Sequence, residues 1–82
     1  MTTEERAKTL YIGVDVHKDT HTAVGLSPFG EKLFELTIGN YRKDFDALST
    51  RIKEVGSESL LSPYIGLEDC HGYGERIASA LY

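Results

Sequence analysis

The sequence predicts a single small α/β domain, and the spacing of its apolar residues leads to that prediction. Apolar and polar residues alternate in three runs between residues 10 and 38, which is the period of a β-strand. The period then lengthens to that of a helix over residues 40–56, and a short apolar run follows at residues 64–68. With a final helical pattern in HGYGERIASALY, the predicted order of elements is β-β-β-α-β-α.

The first three strands are predicted to form an antiparallel meander. In the first strand, apolar residues at positions 10, 12, 14 and 16 alternate with Tyr11, Gly13 and Asp15. The segments HKDT and SPFGE are turn signals, so the second strand lies near residues 22–26 and the third over KLFELTI. Residues 1–8 precede this pattern and are expected to form a flexible N-terminal arm, with the domain over residues 9–82.

One helix and one further strand extend the sheet. Asn40 suits the N-cap of the helix and Gly56 suits the position just after its end. The apolar stripe of this helix consists of Phe45, Leu48, Ile52 and Val55. A strand that follows a helical crossover usually lies parallel to an earlier strand, here the first. The expected mixed sheet has the order three, two, one, four, which is how a ribonuclease H-like fold begins.

Length and composition limit the class of protein. The chain has 82 residues, of which 40% are hydrophobic and 27% charged, as in ordinary globular domains. A domain of this size buries only about 60% of the surface that its unfolded chain exposes, so the core must be thin. The net charge of −4 argues against a surface that coats nucleic acid non-specifically. Any nucleic-acid role must depend on a local site, a bound metal, or other parts of a longer protein.

Several features favour a cytoplasmic protein with no membrane partner. Cys70 is the single cysteine, and no apolar stretch approaches the roughly 18 residues that span a bilayer. The N-terminal segment MTTEERAKTL has charges of both signs and no apolar core, unlike a signal peptide. Because RIASALY ends in mid-pattern without a helix stop, we expect the chain to be a fragment of a longer protein.

Two matching triplets carry the candidate chemistry. GVD at residues 13–15 and GLE at residues 66–68 each place a carboxylate two residues after a glycine. On parallel strands about 4.8 Å apart, Asp15 and Glu68 are expected to lie side by side, where two carboxylates repel each other. Asp15 also ends a strand that is predicted to be buried, where an unpaired carboxylate is costly. A Mg²⁺ ion, which prefers oxygen ligands and retains waters for a phosphate substrate, would explain the pair.

Simpler interpretations of these residues remain open. Asp15 would cap the turn HKDT, and Glu68 would cap the helix after it. A zinc site would draw on His17, Asp19, His21, Cys70 and His71, but their spacing matches no closed zinc pattern. The two histidines near the turn are therefore predicted to be polar turn residues near the mouth of the site. Tyr73 would either point at a bound phosphate or pack under the sheet.

These residues resemble a known family. The segment YIGVDVHKDTHTAV is similar to the opening of the DEDD-type transposases of the insertion-sequence-110 family, which typically begin with Gly-x-Asp-x-His-Lys-Asp. Here that run consists of Gly13, Asp15, His17, Lys18 and Asp19. The family's second acid lies on the fourth strand with a tyrosine five residues later, as Glu68 and Tyr73 do in GLEDCHGY. Cys70 and His71 depart from the Thr-Gly that is common there.

The resemblance implies a RuvC-like nuclease domain that acts on DNA during transposition. Such a domain uses four acids, Asp-Glu-Asp-Asp, to bind Mg²⁺ or Mn²⁺, and Asp15 and Glu68 match the first two. His17, Lys18, Asp19 and Tyr73 would surround the metal without ligating it. The other two aspartates and a nucleophilic serine would lie after Tyr82, so we expect the chain alone to lack nuclease activity. DNA, a structured guide RNA in some members, and further copies of the protein are the implied partners.

Two rival functions come from other classes. Actin-like ATPases and sugar kinases share the meander and begin with an aspartate in a phosphate loop of the form Asp-x-Gly-x-Thr. The residue two positions after Asp15 is His17, and without a glycine the backbone cannot approach a nucleotide phosphate as closely. The third possibility is a folding or assembly module that has no catalytic role.

Overall fold

The computed structural model describes residues 2–69 and contains two helices and four strands. In chain order these are α1 (Thr3–Ala7), β1 (Thr9–Val16), β2 (Thr20–Leu26), β3 (Lys32–Gly39), α2 (Arg42–Ser59) and β4 (Ser62–Asp69). The chain is therefore α/β, as predicted. The predicted last helix, and Tyr73 with it, lie outside the described residues.

The four strands form one mixed sheet in the order β3-β2-β1-β4. β1 pairs antiparallel with β2, and β2 pairs antiparallel with β3, as expected for a meander. β4 lies parallel to β1, which is the result of the α2 crossover. The observed strand order agrees with the predicted order.

The core lies on one face of the sheet, under α2. Alternate residues of β1 contribute Leu10, Ile12, Val14 and Val16, and α2 contributes the predicted stripe of Phe45, Leu48, Ile52 and Val55. Burial of this kind stabilises by about 25 cal/mol for each Å² of apolar surface removed from water. We call the opposite face the open face. The helix α1 contacts it at the start of β1, where the Tyr11 hydroxyl donates to the Arg6 carbonyl at 3.4 Å.

β2 packs closely against β3 on the core side. Gly25 faces Phe34 across the strands, and the Phe34 ring occupies the space where a side chain at position 25 would lie. His21 lies on this same face and is fully buried. The prediction that His21 is a polar turn residue is therefore wrong. Since side chains alternate along a strand, His21 shares the face of Ala23.

Both predicted ends of the helix are wrong. The N-cap residue is Tyr41, which makes no side-chain capping hydrogen bond, whereas the Asn40 side chain bonds elsewhere. The helix also continues through Gly56 to Ser59. It ends at Leu60, which takes the left-handed conformation (φ 58°), and the Leu61 N–H donates to the Gly56 carbonyl.

The predicted arm contains a short helix, α1, whose residues are all exposed. Thr2 caps it by accepting a hydrogen bond from the Glu5 N–H at 3.1 Å. The Thr9 hydroxyl donates to the Glu5 carbonyl and so connects α1 to the start of β1. Within residues 2–69, neither helix has the length and apolarity that crossing a membrane requires.

Candidate functional site

Asp15 lies near the carboxyl end of β1 on the open face. Its side chain is 59% exposed, because the alternation that buries Val14 and Val16 turns Asp15 away from the core. The prediction of a buried position for this carboxylate is therefore wrong. Water solvates it without any cation, so burial alone gives no reason for a metal here.

Residue 68 lies directly beside residue 15. The parallel register pairs Asp15 with Glu68 and Gly13 with Gly66. Neighbouring strands lie about 4.8 Å apart, so the two acidic positions are as close as adjacent strands allow. The two Gly-x-acid triplets are therefore in register, as the sequence predicted.

The two glycines leave a trough in the open face below these acids. A Cβ atom added at Gly13 or at Gly66 would meet no other atom within 4 Å. A cavity of about 550 Å³ lies here. Its lining residues are Gly13, Val14, Asp15, Thr22, Val24, Gly66 and Leu67. The trough has room for a hydrated cation and part of a phosphate-bearing ligand beside Asp15.

His17 contacts the candidate acid. Its Nε2 atom lies 3.2 Å from Asp15 Oδ2, and both side chains are more than half exposed. A contact this exposed contributes little to stability. It places the His17 ring directly beside one oxygen of the Asp15 carboxylate. The His17 N–H donates to the Thr20 carbonyl at 3.1 Å and closes the turn that presents Lys18 and Asp19 to solvent.

A second histidine network was missed by the sequence analysis. His21 Nε2 lies 2.5 Å from Asn40 Oδ1, and Asn40 Nδ2 donates to the Lys18 carbonyl at 2.5 Å. The period of two places His21 on the same face as Ala23, so this alternation could have predicted its burial. No local pattern indicates the contact with Asn40, which lies 19 residues further along the chain.

The described residues supply one candidate carboxylate, Asp15, beside the backbone position of Glu68. Within residues 2–69, no three His, Cys, Asp or Glu side chains come together as a metal-binding group. His17 is exposed beside Asp15, whereas His21 is buried in the core, so they do not share a zinc site. Cys70 and His71 lie outside the described residues. The exposed carboxylate of Asp15 and the empty space above Gly13 and Gly66 fit a hard, hydrated cation such as Mg²⁺ or Mn²⁺.

Comparison with known proteins does not assign the chain to a group. No family model matches it, and no curated protein matches its sequence significantly.

Proposed function

We propose that this chain is the N-terminal part of the catalytic domain of a DNA transposase or recombinase. In this proposal Asp15 and Glu68 supply two of four acids that bind Mg²⁺ or Mn²⁺ for DNA strand cleavage and exchange. The observation that carries the proposal is the register of β1 and β4, which makes the two acidic positions direct neighbours.

The topology supports a ribonuclease H-like, RuvC-like domain. The strand order β3-β2-β1-β4, with β1 and β4 parallel and joined through α2, is the order with which that fold begins. Asp15 and residue 68 lie near the carboxyl ends of these two parallel strands. The motif Gly13-x-Asp15-x-His17-Lys18-Asp19 adds the resemblance to the insertion-sequence-110 family.

The residues around Asp15 have separate roles in this proposal. A bound divalent cation would activate the attacking oxygen and stabilise the leaving oxygen of a phosphodiester. The Asp15 and Glu68 carboxylates would hold it, and His17 would orient Asp15 through the 3.2 Å contact. Lys18 brings a positive charge to the mouth of the site and attracts phosphate. Asp19 and Tyr73 are the other two residues that the family resemblance would place near the acids.

The partners follow from the same proposal. DNA is the substrate, a structured RNA would direct the complete protein to it, and the active complex contains several copies of the protein in the cytoplasm. The acidic net charge means that most of the DNA affinity comes from a longer protein that contains this chain.

The β1–β2 turn disfavours the ATPase alternative. A phosphate loop needs backbone N–H groups that point at the nucleotide. The His17 N–H donates instead to the Thr20 carbonyl, which closes the turn. The remaining alternative is a folding or assembly module, which needs no cation. The following experiment distinguishes it from the proposed metal-dependent enzyme.

Manganese binding to the purified chain tests the site directly. We expect millimolar Mn²⁺ to broaden the NMR signals of residues 13–15 and 66–68, because the unpaired electrons of Mn²⁺ relax nearby nuclei. Asp15→Asn and Glu68→Gln should each remove the broadening. Glu35→Gln is the matched control, since Glu35 is an exposed strand carboxylate on β3. Absence of broadening in the wild-type chain would favour the assembly module.

The catalytic role is tested in a longer protein that contains this chain. Asp15→Asn or Glu68→Gln should abolish DNA strand exchange there while the melting temperature stays within a few degrees of wild type. Strand exchange that persists at the wild-type rate in either variant would refute the assignment of the acids.

A further inference from the structure

His21 is an unusual residue to bury in so small a core. Its side chain is completely inaccessible, at the end of β2 that adjoins the β1–β2 turn. Its Nε2 atom lies 2.5 Å from Asn40 Oδ1, and Asn40 Nδ2 donates to the Lys18 carbonyl at 2.5 Å. A continuous path of hydrogen bonds therefore joins the core to the turn, and we call it the His21–Asn40 tether.

The hydrogen bonds of the tether indicate which nitrogen of the buried His21 ring carries a hydrogen. Because Asn40 uses its N–H group for Lys18, its oxygen faces His21 and accepts from Nε2–H. His21 Nδ1 is then an acceptor, and it is buried without a hydrogen-bond partner. An unsatisfied buried acceptor destabilises a fold, so an apolar ring would suit this position better if packing were its only role. The role of His21 must lie in the bond to Asn40.

Asn40 likewise departs from the role that its local sequence favours. The sequence favours it as the N-cap of α2, but the N-cap is Tyr41, one residue later, and α2 begins without any side-chain capping hydrogen bond. The Asn40 amide instead reaches the carbonyl of Lys18, 22 residues earlier in the chain. The hydrogen bonds of the two tether residues therefore lead to one place, the Lys18 carbonyl.

Holding Lys18 also restrains the candidate acid. Lys18 follows His17, whose N–H closes the turn on the Thr20 carbonyl. The His17 ring in turn contacts Asp15 Oδ2 at 3.2 Å. The path from the core to the Asp15 carboxylate therefore consists of the tether, the chain from Lys18 to His17, and the contact of the His17 ring with Asp15.

We propose that His21 and Asn40 are positioning residues that hold the turn of residues 17–20 so that His17 orients the Asp15 carboxylate toward a divalent cation. This inference rests on the proposed function, because it assigns the tether to the cation site. The tether acts from the core side of the sheet, whereas Asp15 lies on the open face. Its residues therefore affect the cation without touching it.

Two variants cut the tether at different bonds. Asn40→Asp keeps the oxygen that accepts from His21 but replaces the N–H that donates to Lys18. His21→Phe keeps a buried ring and removes both the donor and the unpartnered Nδ1. The control is Arg42→Gln, which breaks the exposed 3.3 Å ion pair between Arg42 and Asp46 at the start of α2, close to Asn40 in the chain.

The measurements are amide hydrogen exchange and Mn²⁺ affinity on the intact chain. Both tether variants should speed exchange at the His17 amide, whose N–H donates to the Thr20 carbonyl across the turn. They should also raise the Mn²⁺ dissociation constant about tenfold, the lower end for residues that orient metal ligands. The melting temperature should remain within a few degrees of wild type. Arg42→Gln should leave both the exchange rates and the affinity unchanged.

The other outcomes show whether the positioning role or the proposed function is wrong. Faster exchange with unchanged Mn²⁺ affinity would overturn the positioning role and leave the metal site intact. Unchanged exchange in both variants would overturn the tether itself. A wild-type chain that binds no Mn²⁺ would overturn the proposed function, and the positioning role with it.

Discussion

At the scale of single residues, the strand glycines differ in what surrounds them. Gly13 and Gly66 border open space in the trough beside Asp15. Gly25 lies instead against Phe34, and a Cβ atom there would come within 2.2 Å of the ring. The sequence shows all three simply as glycines within apolar strands. Only the packing shows that the Phe34 ring requires a glycine at position 25, whereas Gly13 and Gly66 border open space.

A matched pair of substitutions tests this difference. Gly25→Ala should lower the free energy of unfolding by about 1–3 kcal/mol, because the buried Phe34 ring must move within a packed core. Gly13→Ala should change it by less than about 1 kcal/mol, because the new methyl group enters open space. Urea unfolding followed by circular dichroism measures both. Equal stabilities of the two variants would contradict the close packing of Phe34 on Gly25.

At the scale of elements, α2 shows how tertiary contacts override local signals. Gly56 is a good helix stop in isolation, but the helix passes through it. A Cβ atom at this position would lie 3.0 Å from the Leu61 carbonyl oxygen, so the glycine allows the chain to fold back closely into β4. The helix ends at Leu60, where the left-handed conformation favours glycine over leucine.

Leu60→Gly should therefore stabilise the protein. Leu60 is 86% exposed, so its loss removes little buried surface, while the left-handed conformation costs a residue with a side chain about 1 kcal/mol. We expect the free energy of unfolding to rise by about that amount, measured by urea denaturation. Leu60→Ala is the control, since it removes the exposed side chain and keeps the strained backbone. A gain in Leu60→Ala equal to that in Leu60→Gly would argue against backbone strain.

At the scale of the whole molecule, the sheet has two unlike edges. β3 carries the ion pair between Lys32 and Glu35 at 3.4 Å, and its pairing with β2 is irregular near Gly25 and Leu26. Charges and bulges of this kind discourage pairing with another chain. β4, the other edge among the described strands, has no charged residue from Ser62 to Leu67. It is the edge at which a further strand would join the sheet.

We expect the isolated chain to self-associate along β4. The apparent mass in light scattering should rise with protein concentration, and Tyr64→Lys should suppress this rise by placing a charge at a position that is 58% exposed. Thr37→Lys adds the same charge to β3 and should have a much smaller effect. A strictly monomeric chain at high concentration would show that β4 does not pair in this way.

The predictable parts of the site are those that a short sequence pattern indicates. The period of two gave the strands and the alternating faces, and the matching triplets gave the pairing of residues 15 and 68. The same period, applied to Asp15, could have predicted its exposure, because both of its neighbours in the strand are buried. The contacts of Asn40 were not predictable, since an asparagine before a helix has an equally good local use as a cap.

By itself, the sequence determined the α/β class, the strand order and the two acids in register, because these depend on hydrophobic periodicity and on the handedness of the crossover. Only the tertiary structure decided that Asp15 faces solvent, that His21 is buried, and that Asn40 bonds to Lys18 instead of capping α2. The physical reason is that a hydrogen bond or a burial between distant segments depends on how α2 and the turn meet at the end of the sheet. No local sequence pattern predicts the contact between the start of α2 and the β1–β2 turn. That contact nevertheless positions the side chains on which the proposed chemistry depends.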